Sequence, residues 1–519
     1  MVAGTIAPFM PSLPPSLPRT TPLQLVHLAL LAALLALPWL WPFTAGPLPA
    51  VQPYLAAATC AAFALALWPR TAERGVQAAA CGWLLAAAAS AVIALLQYFD
   101  LETQFYPWIN IAKPGQAFGN LRQPNQLASL LVIGLAALRF LAHGGRRATQ
   151  VCAALLALLL LAALAATASR TGLVELLALA ALLLLWDWRR WKRALPVALA
   201  ALVVYALAAY ALPALLQAGN HVAGRDLLDR LQHAEGTCGS RLILWGNVLH
   251  LIAQKPWLGW GWGDLAWAHY STLYPGARFC YILDNAHNLP LHLAVSLGVP
   301  AAALICVALA VPALLSRPWS EQNPARQMAW CVLLAIGVHS LVEYPLWYGP
   351  FQTAALICLW LLWVTRKGRP VTKPAAWRWP GRCTLALAML AATGYTAWDY
   401  ERISQLYLPP EERHERWPGQ ALEAARRSRL FAGDVAFAEL TVQQPSRANA
   451  PWMLPEALRL LHYSPEPRVI ERVIESAVFL GRDDIALAHM ARFRAAFQKE
   501  WEAWRARNAH LRRTTGEKE

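Results

Sequence analysis

The sequence predicts an all-α membrane protein that crosses the bilayer about eleven times. The chain has 519 residues, of which 57% are hydrophobic and only 14% are charged. Apolar stretches of roughly 18 residues or more recur as far as position 400, and that length can cross a hydrocarbon core about 30 Å thick. We predict eleven spans, within a range of ten to twelve, near residues 22–42, 49–69, 76–97, 124–142, 149–168, 171–187, 194–217, 287–315, 327–343, 350–364 and 383–398.

Positive charge predicts the orientation of these spans. If the N-terminus lies in the cytoplasm, the predicted inner segments contain 17 Lys and Arg residues, and the short outer segments contain three. Lys and Arg are enriched in cytoplasmic loops, so this asymmetry favours that orientation. We therefore predict a cytoplasmic N-terminus (1–21), a membrane body (22–398) and a tail (399–519) on the outer side of the membrane.

The net charge of +15 does not indicate a protein that binds nucleic acid. Most of the excess positive charge lies in predicted cytoplasmic loops, where membrane topology alone explains it. The tail contains 19 Lys and Arg residues against 18 Asp and Glu residues, so it is nearly neutral. The expected partner of the body is the lipid bilayer, and no nucleic acid is expected.

One long outer loop, residues 218–286, interrupts the membrane body. It contains the Trp-rich stretch KPWLGWGWGDLAWAHY, which favours a packed segment or one at the membrane interface. Within it, RLILWGNVLHLIAQKP predicts a helix along the outer surface. The tail predicts a soluble helical domain, because DDIALAHMARFRAAFQKEWEAWRAR places apolar residues at helical spacing. We find no fixed period in the tail, so its likeness to a helical repeat stays open.

The cysteines give no metal-binding pattern. The chain has nine cysteines, without a CxxC pair or a His/Cys cluster at metal-ligand spacing. We therefore expect no bound metal and no other cofactor. Only Cys238 and Cys280 share the long outer loop, where an oxidising compartment would allow a disulfide. Two free thiols are an equally good interpretation.

Polar motifs cluster at the predicted outer ends of the spans. Because they converge on one face, they suggest a site at the outer interface. A transport path would instead leave ionisable groups near the middle of the bilayer. The motifs are FGNLRQPNQLAS (118–129), ASRTG (168–172), GSRLILWG (239–246), DNAHNLP (284–290) and VEYPLWYGP (342–350).

His287 is the first candidate for a catalytic residue. It stands at the start of an apolar, helix-length run, where polar groups are costly to dehydrate. A neutral imidazole suits general-base work near neutral pH. Asp284 could orient the ring, and Asn288 could assist. The alternative is a structural histidine at the end of a span.

Three arginines on the outer side are candidates for phosphate binding. Arg170 lies in the turn between two apolar runs, Arg241 begins the surface helix, and Arg122 lies in NLRQPNQ. A guanidinium group presents a planar fork that matches phosphate oxygens. The alternatives are an interfacial arginine for Arg170 and an ordinary loop arginine for Arg241.

Amide and aromatic side chains complete the candidate set. Gln123, Asn125 and Gln126 flank the proline that begins the fourth span, where amides could cap the helix or bind sugar hydroxyls. Glu343 and Tyr344 end the ninth span on the same face. For that pair, the alternative is a surface acid beside an interfacial tyrosine.

Together, these motifs resemble those of a known family. FGNLRQPNQLAS, SRTG, GSRLILWG, AHNLPLHLAVSLG, EYPLWYGPF and WDYERISQLYL occur in order over residues 20–410. The set resembles the bacterial O-oligosaccharyltransferases, which are pilin and general protein glycosylation ligases within the O-antigen ligase and polymerase superfamily. RQPNQ and EYPLWY resemble the protein-glycosylating branch.

The resemblance implies a GT-C-like fold and a specific reaction. Such enzymes move a glycan, preassembled on undecaprenyl pyrophosphate, en bloc to Ser or Thr hydroxyls of exported proteins such as pilin. It implies the bacterial inner membrane, a periplasmic site and tail, inversion at the anomeric carbon, and no metal. His287 would be the catalytic histidine, and Arg170 and Arg241 would hold the pyrophosphate. Gln123, Gln126 and Tyr344 would match other functional positions.

One position departs from the family pattern, and other functions stay open. Related sequences commonly carry an acidic residue where this chain has Ser296, so we assign that position no catalytic role. A ligase that acts on lipid A core, or a repeat-unit polymerase, would share the chemistry. A transporter or flippase of the lipid-linked sugar and a non-catalytic scaffold are the more distant alternatives.

Overall fold

A computed structural model describes residues 21–220, 238–366, 378–414 and 421–508. The regular elements within these ranges are all helices. The predicted cytoplasmic N-terminus lies outside the described residues except for Thr21. Parts of the long loop (221–237) and of the tail (415–420 and 509–519) also lie outside them.

Each predicted span contains helix. Along the described residues the body contains α1 (Pro22–Leu40), α2 (Val51–Leu67), α3 (Ala72–Tyr98), α4 (Pro124–Ala142), α5 (Arg147–Ala166), α6 (Arg170–Trp186), α7 (Trp191–Asn220), α8 (Arg241–Gln254), α9 (Leu265–Ser271), α10 (Leu289–Leu297), α11 (Val299–Leu315), α12 (Pro324–Ser340), α13 (Gly349–Val364) and α14 (Arg378–Ser404).

The helices fit a polytopic membrane protein. By length and composition, six segments within the described ranges can cross a membrane: Pro22–Leu40, Ala72–Tyr98, Pro124–Ala142, Arg147–Ala166, Trp188–Gly219 and Val299–Ser320. Two shorter apolar helices, α2 and α13, accompany them. The total of eleven crossings, like the assignment of the faces, stays a prediction.

Helix α3 occupies the centre of the body because its sequence is rich in small residues. It packs against α1, α4 and α5, and Ala79, Ala86 and Ala87 are fully buried in these contacts. Small side chains let helix backbones approach closely, which is how helices associate in a bilayer. A large buried core forms around α3, to which α4 and α12 also contribute.

The predicted span 287–315 is wrong as a single helix. It is two helices, α10 and α11, separated at Gly298, whose φ of +87° favours glycine. A Cβ atom at this position would lie 2.1 Å from the carbonyl oxygen of Trp257. The break leaves the backbone N–H of Val299 without a partner inside a helix. The loop before α9 supplies one, since Val299 N donates to Pro256 O at 2.8 Å. Apolar composition hid this break, although the Gly-Val-Pro sequence is a helix-breaking signal.

The described part of the long loop is folded. Helices α8 and α9 pack with α10 around a small core that includes Leu244, Val248 and Leu265. Cys238 and Cys280 form a disulfide, with their Cα atoms 5.4 Å apart. Helix α8 corresponds to the predicted surface helix, and Ser240 caps its N-terminus by accepting from Ile243 N.

The tail is helical and packs against this loop. It contains α15 (Ala421–Arg426), α16 (Ala432–Val442), α17 (Ala450–Tyr463), α18 (Pro467–Phe479), α19 (Asp483–Ala496) and α20 (Gln498–Arg507). The core of the tail includes Tyr270 from α9. The Tyr270 hydroxyl lies 2.9 Å from Nδ1 of His489, so a buried hydrogen bond joins loop and tail.

Candidate active site

Three helices of the body begin with the same local geometry. Each is preceded by a non-glycine residue in the left-handed region and then by a polar cap residue. The left-handed residues are Arg122, Ala168 and His287, with φ values of +60°, +47° and +49°. The caps that follow are Gln123 for α4, Ser169 for α6 and Asn288 for α10. In each case the cap side chain accepts from a backbone N–H three residues later.

His287 is held by its backbone and by a carboxylate. Left-handed backbone is uncommon outside glycine, although histidine adopts it more readily than most residues. The amide nitrogen of His287 donates to Oδ1 of Asn285 at 2.9 Å, which stabilises this turn. The ring Nδ1 lies 2.6 Å from Oε2 of Glu343, so the carboxylate orients the imidazole. The Nε2 atom is left for a substrate.

Glu343 joins His287 to Arg241. Its Oε1 atom accepts from the guanidinium group of Arg241, while its Oε2 atom faces His287. The Glu343 side chain is only 12% exposed. Burial alone would raise the pKa of Glu343, but its hydrogen bonds with His287 and Arg241 and the positive charge of Arg241 hold this pKa below its usual value. The site therefore contains an ionised carboxylate between an imidazole and a guanidinium group.

Tyr344 covers the His287 ring and connects it to α4. The two rings meet edge to face with their centroids 4.9 Å apart. Burial, together with nearby Tyr348 and carboxylates, raises the pKa of Tyr344, so this phenol stays neutral. Tyr344 stacks on Tyr348, and the Gln126 side chain lies near the hydroxyl of Tyr348. The structure thus brings Gln126 and Tyr344 into one network with His287.

Arg170 lies at the start of α6, on the surface. Its side chain is exposed and forms no ion pair with a described residue. Beside it, Ser169 Oγ donates to Oδ1 of Asn125 at 2.7 Å. This bond ties the start of α6 to the start of α4, so Asn125 links two helix ends. The guanidinium of Arg170 remains available for a ligand.

Arg122 and Gln123 have structural partners. The guanidinium of Arg122 contacts the hydroxyl of Thr44 and donates to Pro42 O at 2.6 Å and Asn110 Oδ1 at 2.9 Å. Gln123 caps α4 by accepting from Gln126 N at 2.6 Å. These contacts fit the alternative in which the amide caps a helix, and they place Arg122 as a brace for the neighbouring loop.

The other residues near His287 differ from the sequence expectation in one respect. Asp284 is exposed, and Glu343 takes the expected place of Asp284 as the partner of the ring. Asn288 caps α10, and its Nδ2 atom donates to Leu341 O at 2.9 Å. The expectation for Asp284 was wrong because sequence proximity did not reveal that the end of α12 packs against the start of α10.

A buried cluster that no sequence motif revealed lies in three of the predicted spans. Ser129 in α4 donates to Oε1 of Glu175 in α6 at 2.6 Å. The same hydroxyl lies 2.8 Å from Nδ1 of His339 in α12. We call Ser129, Glu175 and His339 the buried cluster, because all three residues are at most 2% exposed. A lone carboxylate in an apolar span was the signal that could have revealed it.

Among the described residues, no group of three or more His, Cys, Asp and Glu side chains is arranged to hold a metal ion. The guanidinium group of Arg241 lies on the same carboxylate as the ring of His287. The site can therefore offer a proton acceptor, a carboxylate that orients it, and guanidinium groups for an anion.

Models of known protein families match segments of this chain that contain the site residues. The model of the O-antigen ligase family matches residues 155–306, which contain Arg170, Arg241 and His287. A model described as a protein glycosylation ligase matches residues 117–142. Over these residues the chain is similar to the O-antigen ligase superfamily. This confirms the superfamily that its motifs resemble.

A third superfamily segment lies in the C-terminal part. The model of the C-terminal region of virulence factor membrane-bound polymerases matches residues 327–511, which include Glu343, Tyr344 and most of the tail. The matched segments together contain the three helix starts, the turn after α12 and the buried cluster.

Two curated proteins of Acinetobacter baylyi are similar to this chain. A general O-oligosaccharyltransferase is 25% identical over 275 residues, which are 50% of this chain and 46% of that protein. A ComP-specific O-oligosaccharyltransferase is 29% identical over 112 residues, which are 22% of this chain and 20% of that protein. The chain thus aligns with less than half the length of these superfamily relatives.

Proposed function

We propose that this protein is an O-oligosaccharyltransferase of the bacterial inner membrane. It moves a preassembled glycan from undecaprenyl pyrophosphate to Ser or Thr hydroxyls of exported proteins such as pilin, on the periplasmic side. The observation that carries the proposal is the contact of His287 with Glu343, which in turn pairs with Arg241. The names of the relatives support the substrate class.

The proposed reaction is a single displacement at the anomeric carbon. The hydroxyl oxygen of the acceptor forms a bond to that carbon, while the bond from the carbon to the pyrophosphate oxygen breaks. The hydroxyl proton passes to Nε2 of His287, and undecaprenyl pyrophosphate leaves with the bonding electron pair. Because no covalent intermediate with the enzyme forms, the configuration at the anomeric carbon inverts.

Glu343 makes His287 competent for this role. With Nδ1 facing the carboxylate at 2.6 Å, the ring is fixed in the tautomer that leaves Nε2 free to accept a proton. The carboxylate also stabilises the imidazolium that forms during transfer. General-base catalysis of this kind contributes about 10²–10⁴-fold to a rate.

Positive groups stabilise the leaving pyrophosphate in this proposal. Arg241 lies at the same carboxylate as His287, and exposed Arg170 begins α6. Guanidinium groups bind phosphate oxygens through paired N–H donors. The N-terminal ends of α4, α6 and α10 add backbone dipoles of the same sign. We propose that these groups, without a metal ion, carry the charge compensation.

Glycan transfer in a host without its own ligase tests this function. The host supplies lipid-linked glycan and a pilin, and carries the wild-type chain or the His287→Ala variant at matched expression. We expect the wild type to glycosylate the pilin and the variant to lose at least about 10²-fold in transfer, because its base is absent. Intact mass measurement of the pilin gives the readout.

His250→Ala is a suitable control, because His250 lies on α8 and its side chain pairs with Gln254 rather than with the site. It should transfer like the wild type. Transfer that survives in His287→Ala contradicts the base assignment. Modification of lipid A core, or a lengthened glycan on an unmodified pilin, would instead favour a ligase or polymerase, a second candidate supported by the matching family models.

A further inference from the structure

The buried cluster contains two ionisable side chains inside the apolar body. Glu175 is 2% exposed and His339 is 1% exposed, and each joins the hydroxyl of Ser129. Oε2 of Glu175 and Nε2 of His339 are buried and have no hydrogen-bond partner in the part of the chain that the structure describes. Ionisable groups within membrane spans are costly, and they are usually retained for function.

The hydroxyl of Ser129 links the two other members, since it contacts both Glu175 and His339. It has one hydrogen, which it donates to Oε1 of Glu175. The short contact with His339 therefore requires that Nδ1 of His339 donates to the hydroxyl oxygen. Removal of this hydroxyl disconnects Glu175 from His339.

Each member lies on a helix that carries part of the candidate site. Ser129 follows Gln126 on α4 by one turn of helix, and Glu175 lies on α6, which begins at Arg170. His339 lies at the end of α12, where its carbonyl oxygen accepts from the backbone nitrogen of Glu343 at 2.9 Å. The cluster thus joins the three helices directly below the site.

From this placement we infer that Ser129, Glu175 and His339 are positioning residues, which set the angle from which Glu343 reaches His287. The inference rests on the proposed function. The hydrogen bond between His339 and Ser129 fixes the last turn of α12 relative to α4. The hydrogen bond between Ser129 and Glu175 in turn fixes α4 relative to α6. Without these bonds the end of α12 can rotate, and the carboxylate moves away from the imidazole.

The required chemistry predicts which substitutions are tolerated. Glutamine at position 175 retains the oxygen that accepts from Ser129, so Glu175→Gln should keep the linkage. Ser129→Ala removes the linking hydroxyl with little change in volume. The matched control is Ser90→Ala, because Ser90 on α3 is equally buried and its hydroxyl has no hydrogen-bond partner.

Transfer kinetics of the full chain, purified and reconstituted with lipid-linked glycan and pilin, test the inference. Ser129→Ala should reduce kcat by about 10- to 100-fold, which is the usual effect of a misplaced catalytic group. The KM values for both substrates should change little. Glu175→Gln and Ser90→Ala should stay within about threefold of the wild type.

A double variant shows whether the effect passes through Glu343. Ser129→Ala combined with Glu343→Gln should be no slower than Glu343→Gln alone, because the carboxylate that the cluster positions is already absent. If the two losses multiply, the cluster acts by another route and the inference is wrong. An equal loss in Ser90→Ala would contradict it as well, since any small change to the packing would then suffice.

A chemical readout separates this inference from the proposed function. Diethyl pyrocarbonate modifies accessible imidazole nitrogens, and peptide mass spectrometry measures the rate at His287. At one fixed pH, Ser129→Ala should change this rate in the same direction and by the same factor as Glu343→Gln, while Ser90→Ala leaves it unchanged. If the wild type transfers no glycan but this pattern holds, only the proposed function fails. If Ser129→Ala leaves the rate unchanged, the inference fails whatever the wild type transfers.

Discussion

The turn that contains His287 and the turn that contains Arg122 have the same backbone design but different roles. Each has a left-handed residue, followed by a polar cap and then by a helix. The Arg122 side chain contacts Thr44, the carbonyl of Pro42 and Asn110, so its hydrogen bonds hold a loop. The His287 side chain instead faces Glu343.

Local geometry therefore does not by itself define a site. The backbone pattern fixes where a helix starts and aims a polar side chain beside that start. What the side chain meets depends on which element packs opposite it. An ionised carboxylate opposite His287 creates a proton acceptor, whereas neutral oxygens opposite Arg122 create a brace.

The largest expected contrast is between Arg241 and Arg122. Arg241→Ala should lower kcat by about 10²–10³-fold, the usual effect of removing a donor that stabilises charge in the transition state. Arg122→Ala should stay within about threefold, because its partners are structural. Arg241→Lys should recover only part of the loss, since an ammonium group lacks the paired donors of guanidinium.

Steady-state transfer at matched protein levels measures this contrast. Equal losses in Arg241→Ala and Arg122→Ala would show that both arginines serve the leaving group, and the distinction between the two turns would be wrong. A melting temperature for each variant separates lost chemistry from lost folding.

The second contrast concerns pH. Because the pKa of Glu343 in the folded protein lies below its usual value of 4.5, its ionised form stabilises the fold. This stabilisation is fully present above the usual pKa of 4.5. It is lost as the pH falls through the lower pKa that Glu343 has in the folded protein. The melting temperature of Glu343→Gln should therefore lie below that of the wild type at pH 7, and the gap should narrow below pH 4.5.

Asn110→Ala provides the matched comparison at the other turn. It removes a neutral partner of Arg122. The difference in melting temperature between Asn110→Ala and the wild type should therefore be the same at pH 7 as below pH 4.5. A pH-independent gap for Glu343→Gln would show that the carboxylate gains no stabilisation from His287 and Arg241. Tryptophan fluorescence of the detergent-solubilised protein gives the midpoints.

Sequence patterns predicted the helices well because the signal is local. Apolar stretches located helix in each of the predicted spans, although α9 in the long loop was not predicted, and the polar residues before α4, α6 and α10 marked their starts. The break at Gly298 was missed, since hydropathy does not register backbone conformation. Its cause is a close approach of the chain at Trp257, which lies far from Gly298 in the sequence.

The composition of the site was only partly predictable. His287, Arg241 and Glu343 were each candidates, but their pairing joins α10, α8 and the end of α12. A contact between residues 56 positions apart depends on tertiary packing, which no local pattern encodes. Glu175 is different, because a carboxylate within an apolar span is visible in the sequence as an anomaly.

The smallest expected difference in transfer rate is between variants of two helix caps, Asn288 at α10 and Gln123 at α4. Asn288 accepts from Leu291 N and also donates to Leu341 O, whereas Gln123 accepts from Gln126 N. Serine is a good cap, so Gln123→Ser should retain the melting temperature of the wild type, and Asn288→Ser should lose only the stability that its second hydrogen bond contributes.

Only Asn288→Ser loses a second bond, the one that ties the start of α10 to the turn before Glu343. Its transfer rate should fall by about three- to fivefold, which corresponds to one neutral hydrogen bond worth about 1 kcal/mol. Gln123→Ser should transfer at the wild-type rate. Equal rates in the two variants would mean that the cap of α10 does no more than the cap of α4, and that Glu343 alone aligns His287 with the acceptor.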